Sequence, residues 1–318
     1  MAENGASLTI FVNGNMNAAR EDRLAEIAPG ADIRVFEHKA DLEANIADAD
    51  IVAGEVSEAA FANATRLKWV QSWAAGPDPQ LYQSFVESDV VLTCCKGNGA
   101  VPLAEHAIML MLMLNRDAMR WIDAQAKRNW DPFQHGELNG MTVGIIGAGY
   151  SGADLALKCK AFHMNVLGLR RTDKPSPNFD RMYTHAELHT FLAACDFVVM
   201  TAPYTPETAN MLAEAEFRAM KPSAFYICFS RGGIANDDAL YRAVDEGWIA
   251  GAGLDAHGTE PLEPENRFWT LRNTIVTPHN GASSAGTRER GFQIFAENLR
   301  RYIAEEDLFN VVDKRAGY

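Results

Sequence analysis

Cysteine is scarce in this sequence and never spaced for a metal or a disulfide framework. The five residues, Cys94, Cys95, Cys159, Cys195 and Cys228, form an odd set with no CxxC pair and no Cys/His cluster. No metal site is expected, and the thiols are predicted to be reduced and mostly in the core. Long apolar runs are missing too: the most apolar stretch, residues 101–114, is broken by Glu105 and His106 and falls short of the roughly 20 residues that a membrane-spanning helix needs. A membrane partner is not expected. The first five residues lack a basic segment, and the apolar run at 8–12 is too short for a secretion signal, so a cytoplasmic location is predicted. Positive charge is in deficit, with 29 Lys and Arg against 42 Asp and Glu and a net charge of −13. Such a surface repels phosphate backbones, which argues against nucleic acid. An anionic ligand would need a local group of arginines.

What is present is the composition of a globular protein, 47% hydrophobic over 318 residues, enough for two domains of ordinary size. From residue 8 short β-rich runs alternate with helical stretches: 8–12, 17–27, 32–35, 50–53, 69–72 and 90–93. A long, nearly all-apolar helix is predicted from Val101, with Met109, Met111 and Met113 read as core. A second βα series follows at 142–146, 150–162, 165–169, 186–193, 196–201, 224–229, 237–246 and 250–254, and an amphipathic helix is predicted over 285–304. Parallel strands need crossovers, so the rhythm predicts parallel sheets covered by helices. The last helix is expected to pack back on the first domain.

Gly147-Ala148-Gly149-Tyr150-Ser151-Gly152 is a complete G-x-G-x-x-G between an apolar strand and a helical run. In that context it predicts dinucleotide binding: the first glycine for the turn, the second for close approach of pyrophosphate, the third for helix packing. NAD-specific versions place a carboxylate about 20 residues further on. Here Arg170-Arg171-Thr172 stands there, with Arg170 at 170 − 152 = 18 residues past the last glycine. Guanidinium groups pair with a 2′-phosphate that a carboxylate would repel, so NADP(H) is expected to be preferred, with NAD(H) possible. Which arginine faces the phosphate is undecided, since strand neighbours point to opposite sides. The alternative has solvated arginines and Asp173 serving the ribose.

Three further polar groups fall near the ends of the second series. Arg231 emerges from an apolar run into Gly232-Gly233, Glu260 lies in Asp255-Ala256-His257-Gly258-Thr259-Glu260-Pro261-Leu262, and His279 lies in Thr277-Pro278-His279-Asn280-Gly281.

With Pro203 to Thr208 (PYTPET), Ser230-Arg231-Gly232, Gly253-Leu254-Asp255 and the Thr-Pro-His triplet, the chain resembles the D-isomer-specific 2-hydroxyacid dehydrogenases over most of its length. The intervals 260 − 231 = 29 and 279 − 260 = 19 resemble those of the glyoxylate and hydroxypyruvate reductase branch. The resemblance implies two Rossmann/flavodoxin-like α/β domains with parallel sheets and an active site in the inter-domain cleft. A substrate-binding domain is expected over 1–98 plus 286–318 and a Rossmann domain over 99–285. It implies that His279 is the acid/base, Glu260 its partner, and Arg231 the group that binds the carboxylate and keto oxygen of a small 2-keto or 2-hydroxy acid. The chemistry agrees: a proton must reach the alkoxide formed at C2, a task suited to imidazole, and a guanidinium can polarise the carbonyl.

By the same resemblance Asp255 holds the nicotinamide carboxamide and Pro203 lines the cofactor. The backbone of Trp73-Ala74-Ala75-Gly76 binds the substrate carboxylate, with Trp73 either walling the pocket or belonging to the core. Glu105 and His106 serve the hinge and not the chemistry. A homodimer is implied, with the helix from Val101 as a candidate interface. Tyr150-Ser151, Asn236-Asp237 and His257-Gly258-Thr259 depart from the family pattern and leave the substrate open. Formate dehydrogenases, which carry Gln in place of Glu260, are disfavoured. Phosphoglycerate dehydrogenases with an added C-terminal domain are disfavoured as well, because the chain ends soon after its last helix. A redox-sensing corepressor or scaffold of the same fold, without turnover, is the alternative function.

Overall fold

The computed structural model describes residues 7–172 and 174–317; the start of the chain and Asp173, the alternative ribose partner, lie outside the described residues. The strands are β1 (Thr9–Asn13), β2 (Asp32–Phe36), β3 (Ile51–Ala53), β4 (Trp69–Ser72), β5 (Val91–Cys94), β6 (Thr142–Ile146), β7 (Asn165–Leu169), β8 (Arg181–Tyr183), β9 (Phe197–Met200), β10 (Phe225–Cys228), β11 (Gly251–Leu254) and β12 (Thr274–Val276). The α-helices are α1 (Ala18–Ile27), α2 (Lys39–Ala44), α3 (Glu58–Phe61), α4 (Gln83–Val86), α5 (Ala100–Asn115), α6 (Ala118–Ala126), α7 (Tyr150–Ala161), α8 (Leu188–Ala194), α9 (Glu214–Ala219), α10 (Asp237–Asp245) and α11 (Ala285–Ile303). Two compact units result, one from residues up to 98 together with those from 284 onward, the other from 99–283.

The first unit holds a fully parallel sheet in the order β2-β1-β3-β4-β5, the flavodoxin-like arrangement. Because side chains alternate along a strand, Phe11, Val52 and Val70 enter one core while Ile10, Val12, Ile51 and Trp69 enter another on the opposite face. Helix α11 covers the latter with Phe292, Phe295 and Leu299, each contributing about 1.5–3 kcal/mol on burial. A buried polar chain fixes its register. Trp69 Nε1 donates to Thr93 Oγ1 (2.7 Å), whose hydroxyl donates to Gln71 Oε1 (2.8 Å), and Asn298 Nδ2 of α11 donates to that same oxygen (3.1 Å). Beyond α11 the chain returns to the free edge of β5, where Val312 N donates to the Leu92 carbonyl (2.9 Å).

The second unit holds seven parallel strands in the order β12-β11-β10-β9-β6-β7-β8. This is the doubly wound Rossmann order with one strand added. Strand succession reverses between β6 and β9, and in such sheets ligands bind at the carboxyl ends of the strands at that reversal. Helix α5 seals one face, with Ala104, Ala107, Ile108, Leu110 and Met111 buried against Val143, Ile145, Phe197 and Val199. The methionines expected together in the core divide: Met111 is buried, whereas Met109 is 41% exposed. At 3.6 residues per turn, positions two apart lie on opposite sides of a helix, so 109 and 111 do not share its apolar stripe.

All five cysteines are free and buried. Burial pushes the thiols of Cys95, Cys159 and Cys195 up to about 12, so they are unreactive. Among the described residues no helix is long and apolar enough to cross a membrane, and no group of His, Cys, Asp and Glu has the arrangement of a metal site.

Candidate active site

The glycine loop joins β6 to α7 at the reversal. Gly147 sits at φ +108°, and its carbonyl accepts the Thr201 hydroxyl (2.6 Å) from the end of β9. A Cβ on Gly152 would stand 2.0 Å from the Gly147 carbonyl oxygen, so the helix packs as closely as it does only because that side chain is missing. At Gly149 a Cβ would meet nothing within 4 Å. The middle glycine therefore leaves open space in front of α7, whose first turn begins with Tyr150 and Ser151 and has no side-chain cap. Uncapped N–H groups at a helix start suit a pyrophosphate. Pro203 is exposed in the loop after β9, where its carbonyl accepts from Thr208 Oγ1 (2.8 Å).

At the end of β7 the two arginines have different surroundings. Arg170 turns back on its own loop, donating to the carbonyls of Thr172 (3.2 Å) and Lys174. Arg171 is exposed, and its charge acts on Glu207 in the loop after β9. That carboxyl is held below its ordinary range first by the Thr205 hydroxyl, with the Arg171 charge contributing.

His279 and Glu260 meet, although 19 residues separate them: His279 Nδ1 lies 2.7 Å from Glu260 Oε2. A carboxylate only accepts, so Nδ1 carries the hydrogen and Nε2 is left for other partners. Glu260 is anchored through its other oxygen, which accepts the His257 N–H (2.9 Å). Partial burial is the largest single influence on its carboxyl and raises its pKa. The His257 N–H, the bond to His279 and the charges of both imidazoles outweigh that effect and hold it below the usual range. A cavity of about 410 Å³ opens beside the pair, lined by His257, Leu262, Trp269 and Pro278 among others.

Arg231 follows β10 and is partly buried, with Nη1 donating to the Ser230 carbonyl (2.8 Å). The turn after it passes so near the Glu260 loop that a Cβ on Gly232 would fall 2.0 Å from the His257 carbonyl carbon.

Asp255 lies under the loop that carries His279. It is fully buried, with Oδ1 accepting from Thr277 Oγ1 (2.6 Å) and Asn280 N (3.1 Å) and Oδ2 from Gly281 N (2.9 Å). It holds both ends of the loop that carries His279, because three donors of that loop converge on its two oxygens. His106 Nε2 contacts Thr277 Oγ1 (3.0 Å) and joins the same network. The sequence reading missed Thr277; its signal was the hydroxyl two residues before His279.

In the first unit the loop after β4 is tied down by its carbonyls. Those of Trp73, Ala74 and Ala75 accept from Asn98 Nδ2 (3.3 Å), Cys95 N (2.8 Å) and Cys94 Sγ (3.2 Å). Among the described residues the N–H groups of Ala75 and Gly76 make no hydrogen bond, the disposition an anion requires. Trp73 is half-buried in the core beneath α11, edge-on to Phe295 and donating through Nε1 to the Asn13 carbonyl (2.8 Å).

A dinucleotide cradle at a Rossmann reversal, with a histidine–carboxylate pair and an arginine on neighbouring loops, defines a nicotinamide-dependent oxidoreductase. Residues 108–281 match the model of the D-isomer specific 2-hydroxyacid dehydrogenase NAD binding domain. The chain is 32% identical over 276 residues to a glyoxylate reductase of Thermococcus litoralis, covering 83% of this chain and 82% of that one. Among solved structures it resembles a D-isomer specific 2-hydroxyacid dehydrogenase family protein from Aeromonas salmonicida, with TM-score 0.89, 30% identity and coverage of 97% and 100% of the two chains. It also resembles an NADPH-dependent glyoxylate/hydroxypyruvate reductase from Sinorhizobium meliloti solved with NADP and sulfate, with TM-score 0.84, 30% identity and coverage of 98% and 100%. The chain belongs to the D-isomer-specific 2-hydroxyacid dehydrogenase family, and it is an NAD(P)-dependent oxidoreductase.

Proposed function

We propose that this protein reduces small 2-keto acids, of which glyoxylate and hydroxypyruvate are the first to test, to the corresponding D-2-hydroxy acids, and that it prefers NADPH. The observation carrying the reading is the 2.7 Å contact between His279 Nδ1 and Glu260 Oε2, which leaves Nε2 as the proton donor. The glyoxylate reductase of Thermococcus litoralis and the reductase of Sinorhizobium meliloti support the choice of acids. The dinucleotide, when bound, supplies the hydride. His279 gives the proton to the oxygen at C2, Glu260 orients the ring, and Arg231 neutralises the carboxylate and draws charge onto the carbonyl oxygen. Residues 99–283 form the cofactor-binding domain, with Gly147, Gly149, Tyr150, Ser151 and Gly152 against the pyrophosphate. The N–H groups of Ala75 and Gly76 bind the substrate carboxylate, and the other unit is the substrate-binding domain.

Cofactor choice is assigned to Arg171, which is exposed at the end of β7, whereas Arg170 directs Nε and Nη2 back to the Thr172 and Lys174 carbonyls. A charge-assisted hydrogen bond contributes about 1.5–3 kcal/mol, or roughly 10- to 100-fold. Arg171→Asp is therefore expected to lower the ratio of kcat/KM for NADPH to that for NADH by about 10- to 100-fold. Oxidation of either cofactor with a panel of 2-keto acids, followed at 340 nm, measures both claims. Absence of turnover with every acid would overturn the enzymatic assignment, and an unchanged ratio would overturn that of Arg171.

We also propose a homodimer. The helix from Val101 turns most of its apolar residues into its own core, and of its large hydrophobic residues only Val101 and Met109 are exposed. The following stretch exposes Met119 (51%), Trp121 (40%), Ile122 (52%) and Trp130 (94%), a patch that a second copy would cover. Sedimentation equilibrium at micromolar protein should return twice the monomer mass; a monomer there would overturn the proposal.

A further inference from the structure

His257 touches all three segments that carry the site. Its backbone packs against the turn after Arg231 so closely that Gly232 has no room for a Cβ. Its N–H donates to Glu260 Oε1 (2.9 Å), and its ring Nε2 lies 3.0 Å from the Thr277 carbonyl, two residues before His279. A carbonyl can only accept, so Nε2 carries a hydrogen and donates it.

The bond to Thr277 matters because the backbone two residues later is strained. His279 sits at φ +49°, in the left-handed region that a residue with a Cβ avoids. Such a conformation persists only where its surroundings over-determine it. Asp255 holds the Thr277 hydroxyl and the N–H groups of Asn280 and Gly281, and His106 approaches the same hydroxyl. The Thr277 carbonyl points elsewhere, and the His257 ring is what fixes it. One imidazole thus ties the loop presenting the acid to the loop presenting its carboxylate partner.

We propose that His257 is a positioning residue for the reduction, holding Glu260 through its N–H and the His279 loop through its ring in one fixed relation. The proposal rests on the assignment of His279 and Glu260 as the proton-donating pair. His257 lies outside the hydrogen-bonded pair itself, and its effect reaches the chemistry through both members. A small displacement of a proton donor costs rate far more than affinity, on the order of 10- to 100-fold for shifts approaching 1 Å.

Two variants separate positioning from bulk. His257→Phe keeps the ring volume and the backbone N–H but removes the donor to Thr277; His257→Gln restores a donor at the same reach. The expected result for His257→Phe is a loss of kcat of about 10- to 100-fold, with KM for the keto acid and Kd for NADPH within about threefold of wild type and an unchanged Tm. His257→Gln should recover most of that loss. A His257→Phe enzyme with wild-type kcat overturns the proposal, and so does a His257→Gln enzyme as slow as the Phe variant at equal Tm. If His257→Phe unfolds, the comparison of His257→Gln with His257→Ala decides in the same way. His279→Ala, measured in parallel, separates the two readings: full activity there would refute the proton-donor assignment itself, whereas an inactive His279→Ala beside a fully active His257→Phe refutes only the positioning role.

Discussion

Replacing His279 by alanine is expected to lower kcat for 2-keto acid reduction by roughly 10²- to 10⁴-fold, the usual contribution of a positioned general acid, while Kd for NADPH stays within about threefold of wild type. The expectation follows from the contact with Glu260. With Nδ1 committed to that carboxylate at 2.7 Å, the ring has one nitrogen left and one direction in which to deliver a proton. Glu260 is held below the ordinary carboxylate range, so it is ionised throughout the neutral region and accepts the Nδ1 hydrogen. The stabilising part of the pair follows the same sign. A depressed folded-state pKa contributes stability that is present above the unfolded value and is lost as pH falls through the lowered one. Stopped-flow reduction and a fluorescence titration with NADPH check the expectation. An alanine variant that turns over at the wild-type rate would falsify the role of His279.

The second large effect is at Arg231. Substitution by methionine, which keeps much of the stem volume, is expected to reduce kcat/KM for the keto acid by roughly 10²- to 10³-fold, the scale for removing one donor that meets developing charge. Both parameters should suffer: KM rises because the substrate carboxylate loses its counter-charge, and kcat falls because nothing polarises the carbonyl. Lysine should recover only part of the loss, since an ammonium lacks the planar fork that can serve a carboxylate and a keto oxygen together. Steady-state kinetics across the three enzymes provide the check. A methionine variant whose deficit lies in NADPH binding alone would place Arg231 with the cofactor instead of the substrate.

Much of this was readable from adjacent residues. The glycine loop occupies six consecutive positions between a strand and a helix, and each glycine answers a local backbone demand, so its cradle can be read before any packing is known. The βα rhythm likewise implied parallel sheets, because parallel strands have no other way to connect. Arg231, Glu260 and His279 stood out through the resemblance to the D-isomer-specific 2-hydroxyacid dehydrogenases, whose residue types and intervals they match. Less legible was anything that depends on the direction of a side chain where a strand ends. Arg170 and Arg171 are indistinguishable as text, yet one braces its own loop and the other faces outward. Nothing in the text around Asp255 signals its bonds to the Thr277 hydroxyl and to the Asn280 and Gly281 N–H groups.

By itself, then, the sequence determined the class of fold, the dinucleotide cradle and the chemical groups available, because these rest on short-range backbone geometry and on periodicity. Tertiary structure alone decided which groups meet. The 19-residue span from Glu260 to His279 closes to 2.7 Å only through the packing of two loops. Asn298 reaches Gln71 across 227 positions to seat α11 on its sheet. His257 becomes the link among three loops because Gly232 lets them approach. Hydrogen bonds between distant residues are short-range and directional, so the register in which loops pack decides whether they form, and no interval in the text encodes that register.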